Sequence, residues 1–310
     1  MTRSDGPTHA SASPSIHPDL SRARFLPPTV IGRRTYRLVR LGTRLQRGAR
    51  DVEVVEVAGG VGARIHRPPT GSRTPVPGVL YLHGGGYVVG TAAMGDRFCA
   101  RLATHLGVVV AAVDYRLAPE HPYPAALEDA AAALRWLAEQ PDVDAERIAL
   151  VGDSAGGGLA AAVALLARDR GEVTPVLQVL SYPMLDDRTT DGSVDPRLLR
   201  LWNQPSNRFG WEAYLGEFAG EEVPATAAPA RAEDLSGLPA TWIGVGTHDL
   251  FHAENVRWAR RLDDAGVACE LVVVDGAYHG FDGAEPRAEV SRAFLRARLN
   301  ALREALTDRT

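Results

Sequence analysis

Arg147-Ile148-Ala149-Leu150-Val151-Gly152-Asp153-Ser154-Ala155-Gly156 is the stretch whose reading decides the fold. Its first five residues form a short apolar run, the pattern of a buried strand. From Ala155 to Ala167 every residue is apolar or glycine, with three glycines in 13 residues. That is too short to cross a bilayer, which takes ~18–20 apolar residues, and it suits a buried helix. Between strand and helix lies only G-x-S-x-G. A strand–turn–helix with that sequence presents its serine on a sharp bend. Side chains two residues before and two after the serine would collide there, hence the glycines. Ser154 stands exposed at a helix N-terminus, where the helix dipole favours developing negative charge.

Gly152, Gly156 and Gly158 also fit the G-x-x-x-G-x-G phosphate loop of short-chain dehydrogenases. Those enzymes need a downstream Tyr-x-x-x-Lys pair, and all 34 basic residues here are Arg. Their loop also follows the first strand, whereas this one follows about the fifth. A chain without Lys forms no Schiff base with pyridoxal phosphate and has no P-loop Lys, kinase strand Lys or Ser–Lys dyad. Net charge is −4, so there is no global polycation for nucleic acid. Cys99 and Cys269 are distant in sequence, which argues against a disulfide framework or a cysteine-rich zinc site. No metal site is expected.

Outward from the serine, apolar runs alternate with helical stretches. Val52–Val57 and Val61–His66 read as a strand pair. Further strands are expected at Val79–Leu82, Val108–Val113, Ile148–Val151, Val176–Leu180, Thr241–Val245 and Leu271–Val274. Helices are expected at Asp96–His105, Pro124–Glu139, Ala155–Asp169, Ala253–Asp264 and Arg287–Leu306. Such alternation implies parallel crossovers and an open α/β sheet. Between Leu180 and Thr241 lie sixty residues with six prolines and no clear strand. They include Trp202, Phe209, Trp211, Tyr214, Leu215 and Phe218. So long a stretch is seldom a plain loop. It reads as an inserted, mostly helical subdomain, either an ordinary packed excursion or a lid.

His83-Gly84-Gly85-Gly86 follows the strand Val79–Leu82. Three glycines let backbone N–H groups approach and face a ligand, as acyl transfer requires where a carbonyl oxygen becomes an oxyanion. His83 reads as an organiser of that loop. A reactive serine also needs a base, and the base an orienting acid. After Ser154 the histidines are 248, 252 and 279. His279 lies just past the strand Leu271–Val274, whereas His248 and His252 crowd the best acid candidate, Asp249. Asp275, Asp282, Asp186 and Asp187 remain rivals for the acid.

The N-terminal portion is different in kind. Residues 1 to about 24 read as a flexible tail without an apolar signal core. Residues 30–50 carry arginines at 33, 37, 40, 44 and 47, with Leu38, Leu41 and Leu45 on another face, an amphipathic helix pattern. Residues 1–50 have net charge +8 and the remainder −12. The simplest reading is a surface helix docked on the acidic remainder of its own chain; a membrane surface or acidic partner is the other.

These residues resemble the hormone-sensitive-lipase-like serine esterases of the α/β-hydrolase superfamily. The similarity covers most of residues 76–310. It runs through His83–Gly86, Asp114-Tyr115-Arg116-Leu117-Ala118-Pro119-Glu120-His121-Pro122 with Pro124-Ala125-Ala126, and Gly152-Asp153-Ser154-Ala155-Gly156-Gly157. It continues in Tyr182-Pro183, the Asp249 segment and Tyr278-His279-Gly280-Phe281. The resemblance implies an α/β-hydrolase fold, with a mostly parallel eight-stranded sheet, helices on both faces and a helical cap. The implied division is 1–50 as tail and cap helices, 51–185 with 236–310 as catalytic core, and 186–235 as cap insertion. By position Ser154 is the nucleophile, Asp249 the acid and His279 the base. The oxyanion donors are the N–H groups of Gly85, Gly86 and Ala155, and His83, Gly84 and Asp153 are supporting motif residues. One departure stands out. The family usually has an acidic pair shortly after the triad Asp, and Leu250-Phe251-His252-Ala253-Glu254 has Ala where the first acid is expected.

The implied activity is hydrolysis of short- to medium-chain acyl esters through an acyl-enzyme, with no cofactor. An amide or natural-product ester is an alternative substrate. A non-catalytic receptor on the same fold is another reading, but related plant hormone receptors have lost the His that is present here. The expected partner is a small-molecule ester, with no nucleic acid and no membrane; a homodimer is compatible with the chain. The expected compartment is the cytoplasm.

Overall fold

The computed structural model describes residues 15–45, 48–57, 60–69, 75–189, 194–220 and 222–307. Eight strands form one sheet: β1 (Glu53–Val57), β2 (Val61–His66), β3 (Val76–Leu82), β4 (Val109–Asp114), β5 (Val143–Asp153), β6 (Leu177–Ser181), β7 (Ala240–His248) and β8 (Cys269–Tyr278). Their spatial order is β1-β2-β4-β3-β5-β6-β7-β8. β1 and β2 are antiparallel to each other, as are β2 and β4. The neighbours from β4 through β8 are parallel. Four of the six strand runs expected after the first pair lie inside observed strands, and the other two are offset by one residue, with β4 and β6 starting at Val109 and Leu177 in place of Val108 and Val176. β5 begins five residues earlier than expected because Val143 and Asp144 pair with Val76 and Pro77 before the register shifts. Propensity could not show that pairing, since Asp144-Ala145-Glu146 is poor strand sequence.

Five helices cover the two faces: α2 (Asp96–Leu106), α3 (Ala125–Ala138), α4 (Ala155–Arg170), α6 (His252–Asp264) and α8 (Glu289–Leu306), the last preceded by the single turn α7 (Phe281–Ala284). Side chains alternate along each strand between two cores. In β3, Leu80 and Leu82 join the core beneath α3, α4 and α6, whereas Val79 and Tyr81 join the core beneath α2 and α8. The strand order reverses about β3: its crossover leads to β4 on one side, and β5 lies on the other. Ligand crevices form outside the carboxyl ends of strands at such a switch point. The loops after β3 and β5 open there.

The segments outside this frame depart from expectation. Within residues 186–235, the described residues hold one α-helix, α5 (Gln204–Leu215), and short 3-10 turns at Gly216–Phe218 and Pro229–Arg231. The insertion is therefore mostly irregular. Prolines supply no N–H and break helix interiors; Pro205 is accommodated because it sits in the first turn of α5. At the N-terminus, residues 15–24 are docked rather than loose. Leu20 and Ala23 are buried, and His17 N–H donates to Gly276 O at 2.9 Å. The rest of the expected tail, residues 1–14, lies outside the described residues.

The helix expected over 30–50 is α1 (Tyr36–Leu45), and its faces are inverted relative to a simple amphipathic helix. Leu38, Leu41 and Leu45 are exposed while Arg40 is buried. The Arg40 guanidinium donates to Val88 O at 2.8 and 2.6 Å, to Ala118 O, and to Glu120 at 2.6 Å. Arg33 pairs with Glu212 at 2.9 Å. These contacts dock the basic segment on acidic groups of its own chain. No helix among the described residues is long and apolar enough to cross a membrane.

Candidate active site

Each candidate residue stands at the carboxyl end of a different strand: His83–Gly86 after β3, Ser154 after β5, Asp249 after β7 and His279 after β8. Ser154 has φ 56° and ψ −120°, a strained conformation for a side-chain-bearing residue. The flanking glycines make it attainable. A Cβ at Gly152 would lie 2.1 Å from Gly156 O, and one at Gly156 would lie 2.1 Å from Leu82 O. The second collision is with β3, so the turn is pressed against the neighbouring strand as well as against itself. Ser154 N–H donates to Ser181 O at 2.9 Å, and Ser154 O accepts from Gly158 and Met184 N–H at 3.0 Å.

Ser154 Oγ lies 2.8 Å from His279 Nε2. His279 Nδ1 lies 2.7 Å from Asp249 Oδ2. The other oxygen, Asp249 Oδ1, accepts from Phe251 N–H at 2.9 Å, and Asp249 is fully buried. With one ring nitrogen on a carboxylate, the Nδ1–H tautomer leaves Nε2 as an acceptor facing the serine. The rival carboxylates are engaged elsewhere. Asp186 holds Arg188, Asp187 holds Arg231, Asp275 accepts from Thr247 Oγ1, and Asp282 accepts from Tyr182 Oη. His248 closes β7 and His252 opens α6.

The glycine loop sits beside the serine. A Cβ at Gly84 would be 3.3 Å from Ser154 Cβ, and Gly85 and Gly86 have φ 127° and 59°. His83 is buried and stacks on Tyr115, with ring centroids 4.2 Å apart at 11°. Its Nδ1 is 2.8 Å from Gly84 O, and Tyr115 Oη donates to His83 O at 2.7 Å. Burial pushes the His83 imidazole below its ordinary pKa, so it is neutral and structural at pH 7. Asp153, next to the serine, points away from it. It accepts from Tyr81 Oη and from the buried Arg298, each at 2.7 Å.

Two parts of the site were not assigned from sequence. After Asp249, Ala253 stands where the first acid is expected, and the acid that is present, Glu254, ties α6 to the segment after β6. Its Oε1 accepts from Leu185 N–H at 2.7 Å and Asp186 N–H at 3.3 Å, and its Oε2 contacts Thr189 Oγ1. Around His279, Tyr182 and Phe251 meet the imidazole edge-on at 4.8 and 5.2 Å, and Trp202 lies 6.3 Å away. Trp202 had been legible only as one of several aromatic residues in the insertion.

A family model described as "alpha/beta hydrolase fold" matches residues 79–283. The chain belongs to the α/β-hydrolases. Within that family it is of the hormone-sensitive-lipase-like kind. This α/β-hydrolase is 40% identical over 238 residues to Esterase LipI of Mycobacterium tuberculosis, a match covering 75% of the chain and 74% of the relative. It is 39% identical over 229 residues to Ethyl acetate hydrolase of Pseudomonas putida, covering 70% of each. Among solved structures, Bacterial Heroin Esterase superposes with TM-score 0.84 at 36% identity, over 95% of this chain and 99% of that one. The α/β-hydrolase described here is a carboxylic ester hydrolase.

Proposed function

We propose that the protein is a serine carboxylesterase acting on short- to medium-chain acyl esters, with Ser154 as nucleophile, His279 as base and Asp249 as orienting acid. The observation that carries this reading is the continuous path Ser154 Oγ–His279 Nε2–His279 Nδ1–Asp249 Oδ2, with links of 2.8 and 2.7 Å. Three side chains from three strand ends meet in the order that general-base activation of a hydroxyl requires.

His279 Nε2 takes the Ser154 proton as Oγ bonds to the ester carbonyl carbon. The carbonyl π pair moves to oxygen, and the N–H groups of Gly85, Gly86 and Ala155 receive the oxyanion. Each such donor contributes ~2.7–4 kcal/mol to lowering the barrier. The oxyanion collapses, the C–O bond to the alcohol breaks, and His279 returns the proton to the leaving oxygen. Water then attacks the acyl-enzyme with His279 again as base. Asp249 holds the imidazole and offsets its transient positive charge. The tail and helices of residues 1–50 and the insertion 186–235 serve as the cap, and among the described residues Tyr36 of α1 packs on Phe209 of α5 at 5.2 Å.

The test is hydrolysis of p-nitrophenyl esters from acetate to octanoate. Wild-type protein releases nitrophenol, and Ser154→Ala lowers kcat by at least ~10³-fold. A folded wild-type protein inert toward the whole series would remove this reading.

A further inference from the structure

Trp202 lies in the cap insertion, yet its indole reaches the glycine loop. A Cβ built on Gly86 would fall 2.2 Å from Trp202 Cη2. The benzo edge therefore rests on the bare α-carbon of one proposed oxyanion residue. The same edge is bounded on the α5 side by Gly210, whose built Cβ would lie 3.3 Å from Cη2 and 3.0 Å from Gly86 O. The ring thus occupies a slot between two positions without side chains. It is buried, and it lies 6.4 Å from Phe251 and 6.3 Å from His279.

The slot is held from outside by the N-terminal segment. Leu201, the preceding residue, has φ 66°, an unfavourable conformation for a branched side chain. Its N–H donates to Pro27 O at 2.9 Å. Arg200 Nε donates to Ala23 O at 2.7 Å, Asn203 Nδ2 meets Thr29 Oγ1, and Ser206 Oγ donates to Ile31 O at 2.5 Å. Residues 23–31 therefore form a strap with four attachments to residues 200–206. These attachments hold the segment on both sides of Trp202, while the indole itself is held by its packing against Gly86 and Gly210.

We infer that Trp202 is the specificity-determining wall of the acyl side of the site, shifting preference within the short- to medium-chain range toward short, unbranched acyl groups. The inference rests on the Ser154 esterase reading. The leaving oxygen must face His279 Nε2 to receive its proton. With the oxyanion on the glycine-loop N–H groups, the acyl substituent takes the remaining direction at the carbonyl carbon, past Gly86 toward the cap. There the indole edge already fills the space above Gly86. A longer or branched acyl chain meets a ring that two glycines and the strap hold in place.

The experiment compares wild type, Trp202→Ala and Trp202→Phe. It measures kcat/KM on p-nitrophenyl acetate, butyrate and octanoate, and on an alcohol series at constant acetyl group. Trp202→Ala should raise the octanoate-to-acetate ratio by about 10-fold or more, the size expected when a hydrophobic wall is moved by a few methylenes. Trp202→Phe, which keeps an aromatic filler, should fall between. If Trp202→Ala does not fold, Trp202→Phe still reports the shift, as do the rates at which short- and long-alkyl fluorophosphonates label Ser154. An unchanged ratio, or a change confined to the alcohol series, overturns the assignment of Trp202 while leaving the esterase reading intact. Wild-type protein that neither turns over acetate nor labels overturns both.

Discussion

Glu254 is a buried carboxyl that joins α6 to Leu185, Asp186 and Thr189. It is enclosed, and loss of water pushes its pKa from 4.5 to about 8 despite hydrogen bonds from Thr189 and the Leu185 amide. The sign of the consequence is fixed. In the unfolded chain the proton leaves near 4.5, and in the folded chain near 8, so between these values folding retains a proton. The stabilisation is complete below about 4.5 and is lost as pH rises through about 8. In Glu254→Gln, which cannot ionise, the pH slope of urea unfolding between pH 5 and 9 should flatten. Relative to wild type the variant should gain with rising pH, by up to roughly 4 kcal/mol. A wild-type slope surviving in the variant would assign the titration to another group.

Among elements, α8 is tied to the catalytic turn by charge as well as by packing. Arg298 is buried, donates to Asp153 at 2.7 Å, lies 3.5 Å from Asp282 and sits over the Phe98 ring at 4.3 Å. Tyr81 and Tyr182 complete the surroundings through hydrogen bonds to the two carboxylates. This cluster backs the serine turn on one side and, through Tyr182, the edge of His279 on the other. Arg298→Leu keeps volume but strands two carboxylates, which should cost ~3–5 kcal/mol at pH 7. Because burial pushes the Asp282 carboxyl up and its protonation relieves the stranded charge, the loss should shrink as pH falls in thermal melts. A loss of constant size across pH would make packing, not charge, the cause.

For the whole molecule, the parts legible in the sequence are those encoded locally. The central strands β3, β4 and β6 and the helix α4 were readable because each buries a continuous, mostly apolar run, whereas β8 was readable from its apolar letters although Val273 is exposed. Of the proposed site, the turn at Ser154 was legible because it admits only glycine two residues to either side, and His279 because it follows the last expected strand; Asp249 still had four rivals in the sequence. The rest depends on contacts that no local pattern carries. The early start of β5 needs Val76 opposite Val143. The burial of Arg40, against the exposure of Leu38, needs the carbonyls of Val88 and Ala118. The irregular cap is held by long-range bonds in place of helix periodicity, which is why a mostly helical insertion was expected and one 12-residue helix was found.

Three of the four strap attachments end on main-chain carbonyls, those of Ala23, Pro27 and Ile31. Main-chain oxygen is indifferent to the residue that bears it, but not to its place in the count. Exchanging the exposed side chains at 24 or 25 should leave the ester preference nearly untouched, whereas one residue inserted after Leu26 should displace every attachment downstream of it and broaden the range of acyl chains accepted. A chain-length profile of the two kinds of variant checks this, and equal tolerance of both would dissolve the distinction. Selection at this end of the polypeptide thus acts on spacing more than on spelling, and relatives could diverge there in letters while keeping the same narrow doorway.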